Sequence, residues 1–187
     1  MSRTLSGGAM KTVTTLALIS LAFTAAVPVW AAKMMPEFYL QNVDGEKRTF
    51  EDVAAPYELV AFVFWDTGCA PCKEQLVETN KFLADYEGLG VVAVSTDPAR
   101  TSSQVKSFIK GQGYEFETLL DVDGDLERAL GVPGIPYCLL VAPEGEIIWE
   151  HSGYRRGDER KMKEEIDKFF AEREKEPTPD EDVTQEE

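Results

Sequence analysis

Cys69-Ala70-Pro71-Cys72 is the segment of this 187-residue chain whose residue types and spacing define a reaction. Two thiols three positions apart can close and open a disulfide without large backbone movement. Thiol–disulfide exchange needs a thiolate, and an ordinary cysteine, with a pKa of about 8.5, is mostly protonated at neutral pH. The apolar run Leu59-Val60-Ala61-Phe62-Val63-Phe64-Trp65 precedes the pair and the helical pattern Lys73-Glu74-Gln75-Leu76 follows it. Cys69 is therefore expected just before a helix N-terminus, where unpaired amides and the helix dipole stabilise a negative sulfur. That makes Cys69 the nucleophile and Cys72, inside the first turn, the buried resolving thiol. Pro71 limits backbone freedom where a missing N–H does little harm. A close cysteine pair also occurs in zinc sites, but a four-coordinate site usually shows two ligand pairs. Only Cys138 and His151 are left to supplement this one, and neither sits at such a spacing. No metal and no cofactor is expected.

The elements that must position the pair follow from periodicity. Residues 58–65 are apolar almost throughout, as in a strand buried on both faces. Residues 72–86 place Leu76, Phe82, Leu83 and Tyr86 at helical spacings. A second buried strand spans 91–95 and a helix 101–112, followed by an extra strand at 116–120 and a short helix at 125–130. Residues 137–141 and 146–151 form a hairpin around Pro143-Glu144-Gly145, and 158–172 a closing helix. Ahead of them, Asp44-Gly45 marks the turn of a short hairpin, with one helical turn at 50–53. This order makes an α/β sandwich with helices on both faces of a mixed sheet.

A second motif, Gly131-Val132-Pro133-Gly134-Ile135-Pro136, leads into the strand at 137–141. With Phe64-Trp65-Asp66-Thr67-Gly68-Cys69-Ala70-Pro71-Cys72-Lys73, it resembles the TlpA-like (redoxin-type) thiol-disulfide oxidoreductases of the thioredoxin superfamily. The similarity covers about residues 36–172. It implies a thioredoxin-like fold: a central mixed sheet flanked by helices, an N-terminal hairpin and an inserted strand-helix segment near residues 116–130. It also implies a cis Ile135–Pro136 bond against the cysteines, with the Ile135 backbone open to an extended substrate. Ile135, Pro136 and Trp65 are the expected substrate-binding residues.

The chain departs from the family pattern at three places. Gly68 stands where an aromatic residue is usual, which predicts a more exposed Cys69. Val63 occupies the strand position of a buried acid, and Gln75 the helix position of a glutamate. Glu74, adjacent, is the candidate for proton transfer to and from Cys72. Cys138 is expected to be a small buried hydrophobe, and His151 has no assigned role.

Charge and the termini bound the rest. The formal net charge of -15 argues against nucleic acid, since phosphate binding needs clustered Lys and Arg. Residues 1–31 read as an export signal: Arg3 and Lys11 lead, Val13 to Val27 is apolar, and Val29-Trp30-Ala31 offers a cleavage site. An uncleaved anchor is the alternative, because the uncharged stretch 12–32 is long enough to span a bilayer. Residues 32–173 are the thioredoxin-like domain. Residues 174–187 are an acidic tail whose composition predicts disorder.

The expected function is an exported thiol-disulfide oxidoreductase acting on protein substrates, as a monomer. By resemblance it works in the periplasm or otherwise outside the cytoplasm. It reduces disulfide-containing exported proteins, as in cytochrome c maturation, and draws electrons from a membrane-embedded thiol donor. Two alternatives are a thiol peroxidase of peroxiredoxin type and a copper-binding or delivery module. The peroxidase pocket needs Thr or Ser three residues before the reactive cysteine, where this chain has Asp66.

Overall fold

The structure, a computed structural model, describes residues 32–175. The expected signal at 1–31 and all but the first two residues of the expected tail at 174–187 lie outside them. Seven strands form one mixed sheet. Strand β1 (Leu40–Asn42) pairs antiparallel with β2 (Lys47–Arg48) across the Asp44-Gly45 turn. A capping box, in which Thr49 and Asp52 exchange side-chain and backbone hydrogen bonds, starts α1 (Phe50–Ala54).

Strand β3 (Leu59–Trp65) runs parallel to β4 (Leu89–Ser95), which runs parallel to β5 (Glu117–Leu120). On its other edge β3 takes β6 (Tyr137–Val141) antiparallel, and β6 takes β7 (Ile147–Ser152). The resulting order is β2-β1-β5-β4-β3-β6-β7. The helices are α2 (Ala70–Asp85), α3 (Ser102–Gln112), α4 (Asp125–Leu130) and α5 (Glu159–Arg173). A 3-10 turn at Ala99–Thr101 precedes α3, which begins one residue after the start of the helix expected at 101–112.

Every residue of β3 is buried, because the strand is covered on both faces. Side chains alternate across a strand, so Leu59, Ala61, Val63 and Trp65 enter a core with Leu76 of α2, Val105 of α3 and Ile166 of α5. Val60, Phe62 and Phe64 point the other way, to a core with Val53 of α1 and Leu126 and Leu130 of α4. Tight approach to β4 is built in at Gly90, where a Cβ would lie 2.3 Å from the Tyr57 ring. The Asp121 carboxylate starts α4 by accepting the Asp125, Leu126 and Glu127 amides at 2.9, 3.3 and 2.8 Å. Gly131 ends it in the left-handed conformation (φ 67°), which a side chain would disfavour. The chain then turns directly into the Pro133–Pro136 loop.

Candidate active site

The cysteine pair sits where β3 ends and α2 begins. Cys69 is the residue preceding the first turn, in extended backbone (φ -83°, ψ 102°), and its Sγ accepts the Cys72 backbone N–H at 3.1 Å. That amide belongs to the set a helix cannot satisfy internally, so the sulfur does the work that a serine or aspartate does at other helix starts. A negative sulfur in this position gains the hydrogen bond and the positive end of α2 together. The two cysteines are joined as a disulfide with Cα atoms 5.2 Å apart. Cys69 is half-buried and Cys72 fully buried, so the outer sulfur is the one a partner can reach.

The loop that delivers Cys69 is pinned at each residue. Gly68 N–H donates to Asp66 Oδ1 at 2.7 Å, and Cys69 N–H to the Asp66 carbonyl at 3.3 Å. Thr67 donates through both its N–H and its Oγ1 to Asp97, at 2.8 and 2.5 Å. The Ile135–Pro136 peptide is cis. Ile135 is half-buried and packs against the same core cluster as Cys69. Pro136 is buried, and its carbonyl accepts from Gly153 N–H at 2.7 Å, which ties the loop to the end of β7.

Two expected roles are corrected. Trp65 has no exposed surface; it packs against Phe108 of α3 with ring centroids 5.2 Å apart, so it is a core residue and offers no surface for a substrate. Its place as the last residue of an all-buried strand is the reason. Glu74 points outward from α2 and pairs with Arg156 at 3.2 Å, with half its side chain exposed. The structure places it in a surface ion pair, on the outer face of α2, away from the buried side where Cys72 lies. Lys73 lies over the Phe108 ring at 5.1 Å, a cation–π contact.

The residue that does face inward is Gln75, one turn after Cys72 on the same buried face. Its Nε2 reaches Cys138 Sγ at 2.6 Å, and its Oε1 is buried with no hydrogen-bond partner among the described residues. Cys138 lies opposite Val63 on β6, and complete burial pushes its thiol pKa well up, so it stays a neutral thiol. No sequence signal marks this contact, because nothing in the spacing pairs residue 75 with residue 138. Asp97 was missed as well. The hydroxyl-rich run Ser95-Thr96-Asp97 was its only trace, and such runs usually just mark a strand end. Among the described residues, no group of three or more His, Cys, Asp or Glu side chains is placed to hold a metal ion.

A profile of the AhpC/TSA family matches residues 31–150 of the chain. The chain belongs to the AhpC/TSA family. It is 26% identical over 148 residues to thiol-disulfide oxidoreductase ResA of Bacillus thuringiensis, covering 79% of this chain and 81% of that one. It is 29% identical over 123 residues to thiol:disulfide interchange protein DsbE of Escherichia coli, covering 65% and 64% of the two chains. The solution structure of a thioredoxin-like protein from Porphyromonas gingivalis superposes with a TM-score of 0.64 at 29% identity, over 74% of this chain and 92% of that one. The fold is thioredoxin-like, as the two sequence motifs implied, and the activity is that of a thiol-disulfide oxidoreductase.

Proposed function

We propose that this oxidoreductase is a reductase of disulfides in exported proteins, with Cys69 as nucleophile and Cys72 as resolving thiol. The observation that carries the reading is the Cys72 amide bonded to Cys69 Sγ at the start of α2, with Cys72 fully buried behind it. In the reduced protein, the Cys69 thiolate attacks one sulfur of a substrate disulfide. The other substrate sulfur leaves and takes up a proton, and a mixed disulfide on Cys69 remains. Cys72 then gives up its proton and attacks Cys69 Sγ, which releases the second substrate thiol and leaves the Cys69–Cys72 disulfide. A dithiol donor restores the starting state, and a membrane-embedded thiol carrier fits that role.

The half-buried Ile135, packed against the same core cluster as Cys69, supports an extended substrate laid along its backbone. Placement outside the cytoplasm rests on the basic, then apolar, then small-residue order of residues 1–31, which reads as a cleaved signal. No helix among the described residues is long and apolar enough to cross a membrane. Cytochrome c maturation is the pathway the resemblance implies, and the domain proposed to act in it is 32–173.

Trapping with Cys72→Ala tests the proposal. Mixed disulfides with exported proteins should accumulate on Cys69, and their absence in cells would defeat the substrate class. The reduction potential tests direction: near -270 mV, about that of thioredoxin, for a reductase, against about -120 mV for an oxidant. Peroxide consumption by Cys72→Ser would instead favour the peroxidase reading, for which Asp66 stands at the wrong place.

A further inference from the structure

Asp97 follows β4 by two residues and is 4% exposed. Its carboxylate takes four side-chain and backbone donors: Thr67 N–H at 2.8 Å, Thr67 Oγ1 at 2.5 Å, Ser95 Oγ at 3.0 Å and Thr101 Oγ1 at 3.2 Å. The Thr67 amide can only donate and the three hydroxyls can donate, Thr101 sharing its hydrogen with the Pro98 carbonyl at 3.0 Å, so the pocket offers donors to an acceptor-only carboxylate. None is a cation, and no salt bridge to Asp97 occurs among the described residues. A negative charge held only by neutral dipoles, in a low-dielectric setting, keeps much of its field. Two of its four donors belong to Thr67, two residues before the reactive sulfur.

We infer that Asp97 is a positioning residue with a second, electrostatic role: it fixes the loop that presents Cys69, and its charge opposes the α2 terminus so that the Cys69 thiolate is not over-stabilised. The inference rests on the reading of Cys69 as nucleophile. Of the other charged groups on the surrounding elements, most are engaged: the buried Asp121 carboxylate, on the residue whose N–H bonds the Ser95 carbonyl, is taken up by the α4 amides. Asp66 holds Gly68 N–H, Lys73 lies over Phe108, and Glu74 is paired with Arg156. Arg100, in the turn after Asp97, is exposed to solvent, and the 131–136 loop carries no charge. A less stabilised thiolate makes the dithiol the weaker sink for electrons, which biases the pair toward donating them. Asp97 thereby sets the direction of exchange from behind the site, without touching the substrate.

The test uses the full chain and the pH profile of iodoacetamide alkylation of the reduced protein, with the labelled cysteine mapped by mass spectrometry. Asp97→Asn keeps the shape and can keep the Thr67 N–H bond, but removes the charge. Its Cys69 midpoint should fall by about half a unit to one unit. The equilibrium with glutathione should move three- to tenfold toward the dithiol, which is about 15–30 mV for a two-electron couple. Thr67→Val leaves the charge and deletes one of its donors, so its Cys69 midpoint should rise. Opposite signs in the two variants are what a purely mechanical anchor does not produce. An unmoved midpoint in Asp97→Asn, or shifts of the same sign in both, overturns the inference while leaving Cys69 the nucleophile. If Asp97→Asn fails to fold, a fall or no change in Thr67→Val overturns it alone. Should the wild-type label map to Cys72 instead, the nucleophile assignment itself fails, which is a separate outcome.

Discussion

Replacing Gln75 with leucine should make the oxidised protein more stable, although it deletes a side-chain contact in the interior. Gln75 is 5% exposed; one end of its carboxamide meets Cys138 Sγ and the other has no partner among the described residues. Turning the amide over changes which atom is left alone, not the count. A buried amide group without a partner costs about 1–3 kcal/mol, and the contact to a weakly bonding thiol returns less than the roughly 1 kcal/mol of an ordinary hydrogen bond. Leucine has a similar volume and joins a face already lined by Cys72, Leu76, Cys138 and Leu140. The balance is a gain of about 1–2 kcal/mol, or about 3–8 °C in Tm for a domain of this size. Guanidinium unfolding followed by circular dichroism measures it, with an unchanged m-value required. The reduced protein supplies a second arm. There Cys72, one turn earlier, gains an S–H that the free amide oxygen can accept, so the gain should shrink by about 1 kcal/mol. The potential of the pair should then fall by about 20 mV. A loss of more than about 1 kcal/mol in the oxidised variant would refute the reasoning, because it would mean that the orphan oxygen is satisfied in the native state.

The other predictions are simpler. Glu74→Gln should leave exchange rates within about twofold and stability within about 0.5 kcal/mol, since it removes an exposed ion pair with Arg156; a tenfold drop in mixed-disulfide resolution would return Glu74 to proton transfer. Tyr137 donates its hydroxyl to Glu150 at 2.8 Å, and burial, then that carboxylate, raises its pKa. A raised folded-state pKa gives stability that is complete below the unfolded value of about 10 and is lost as pH rises through the folded one. Tyr137→Phe should therefore cost about 1 kcal/mol at pH 7 and show a shallower decline above pH 10, read by urea unfolding across the alkaline range; an equally steep decline would reject the assignment. Gly90→Ala drives a Cβ into the Tyr57 ring, 2.3 Å from Cδ2 and 2.6 Å from Cγ, and should cost about 1–3 kcal/mol in thermal unfolding. A neutral result would show that the half-exposed ring swings away freely.

Much of the architecture was legible because burial leaves its mark on residue type. A strand covered on both faces must be apolar at every position, which made β3 and β4 readable. The helices showed the 3.6-residue spacing of their buried side chains. Strand and helix ends moved by one or two residues: β4 starts at Leu89, not residue 91, and α2 includes Ala70 and Pro71. Hydrogen bonding decides those limits, and it leaves no trace in composition.

The chemistry divides in the same way. The sequence by itself determined where the proposed reacting pair lies, since Cys69 and Cys72 are placed by local geometry: one sulfur before a helix start, the other in its first turn. It likewise placed Pro136 at the head of β6. What only the tertiary structure decided were the contacts between residues far apart in the chain. Helix phase turned Glu74 outward to Arg156, 82 positions away, and Gln75 inward to Cys138, 63 positions away. The same packing closed α3 over Trp65, and brought Asp97 beneath Thr67 across 30 residues. Neighbouring positions on a helix point about 100° apart, so adjacency in sequence says little about which of two polar residues faces the core. The surrounding sheet and helices make that choice.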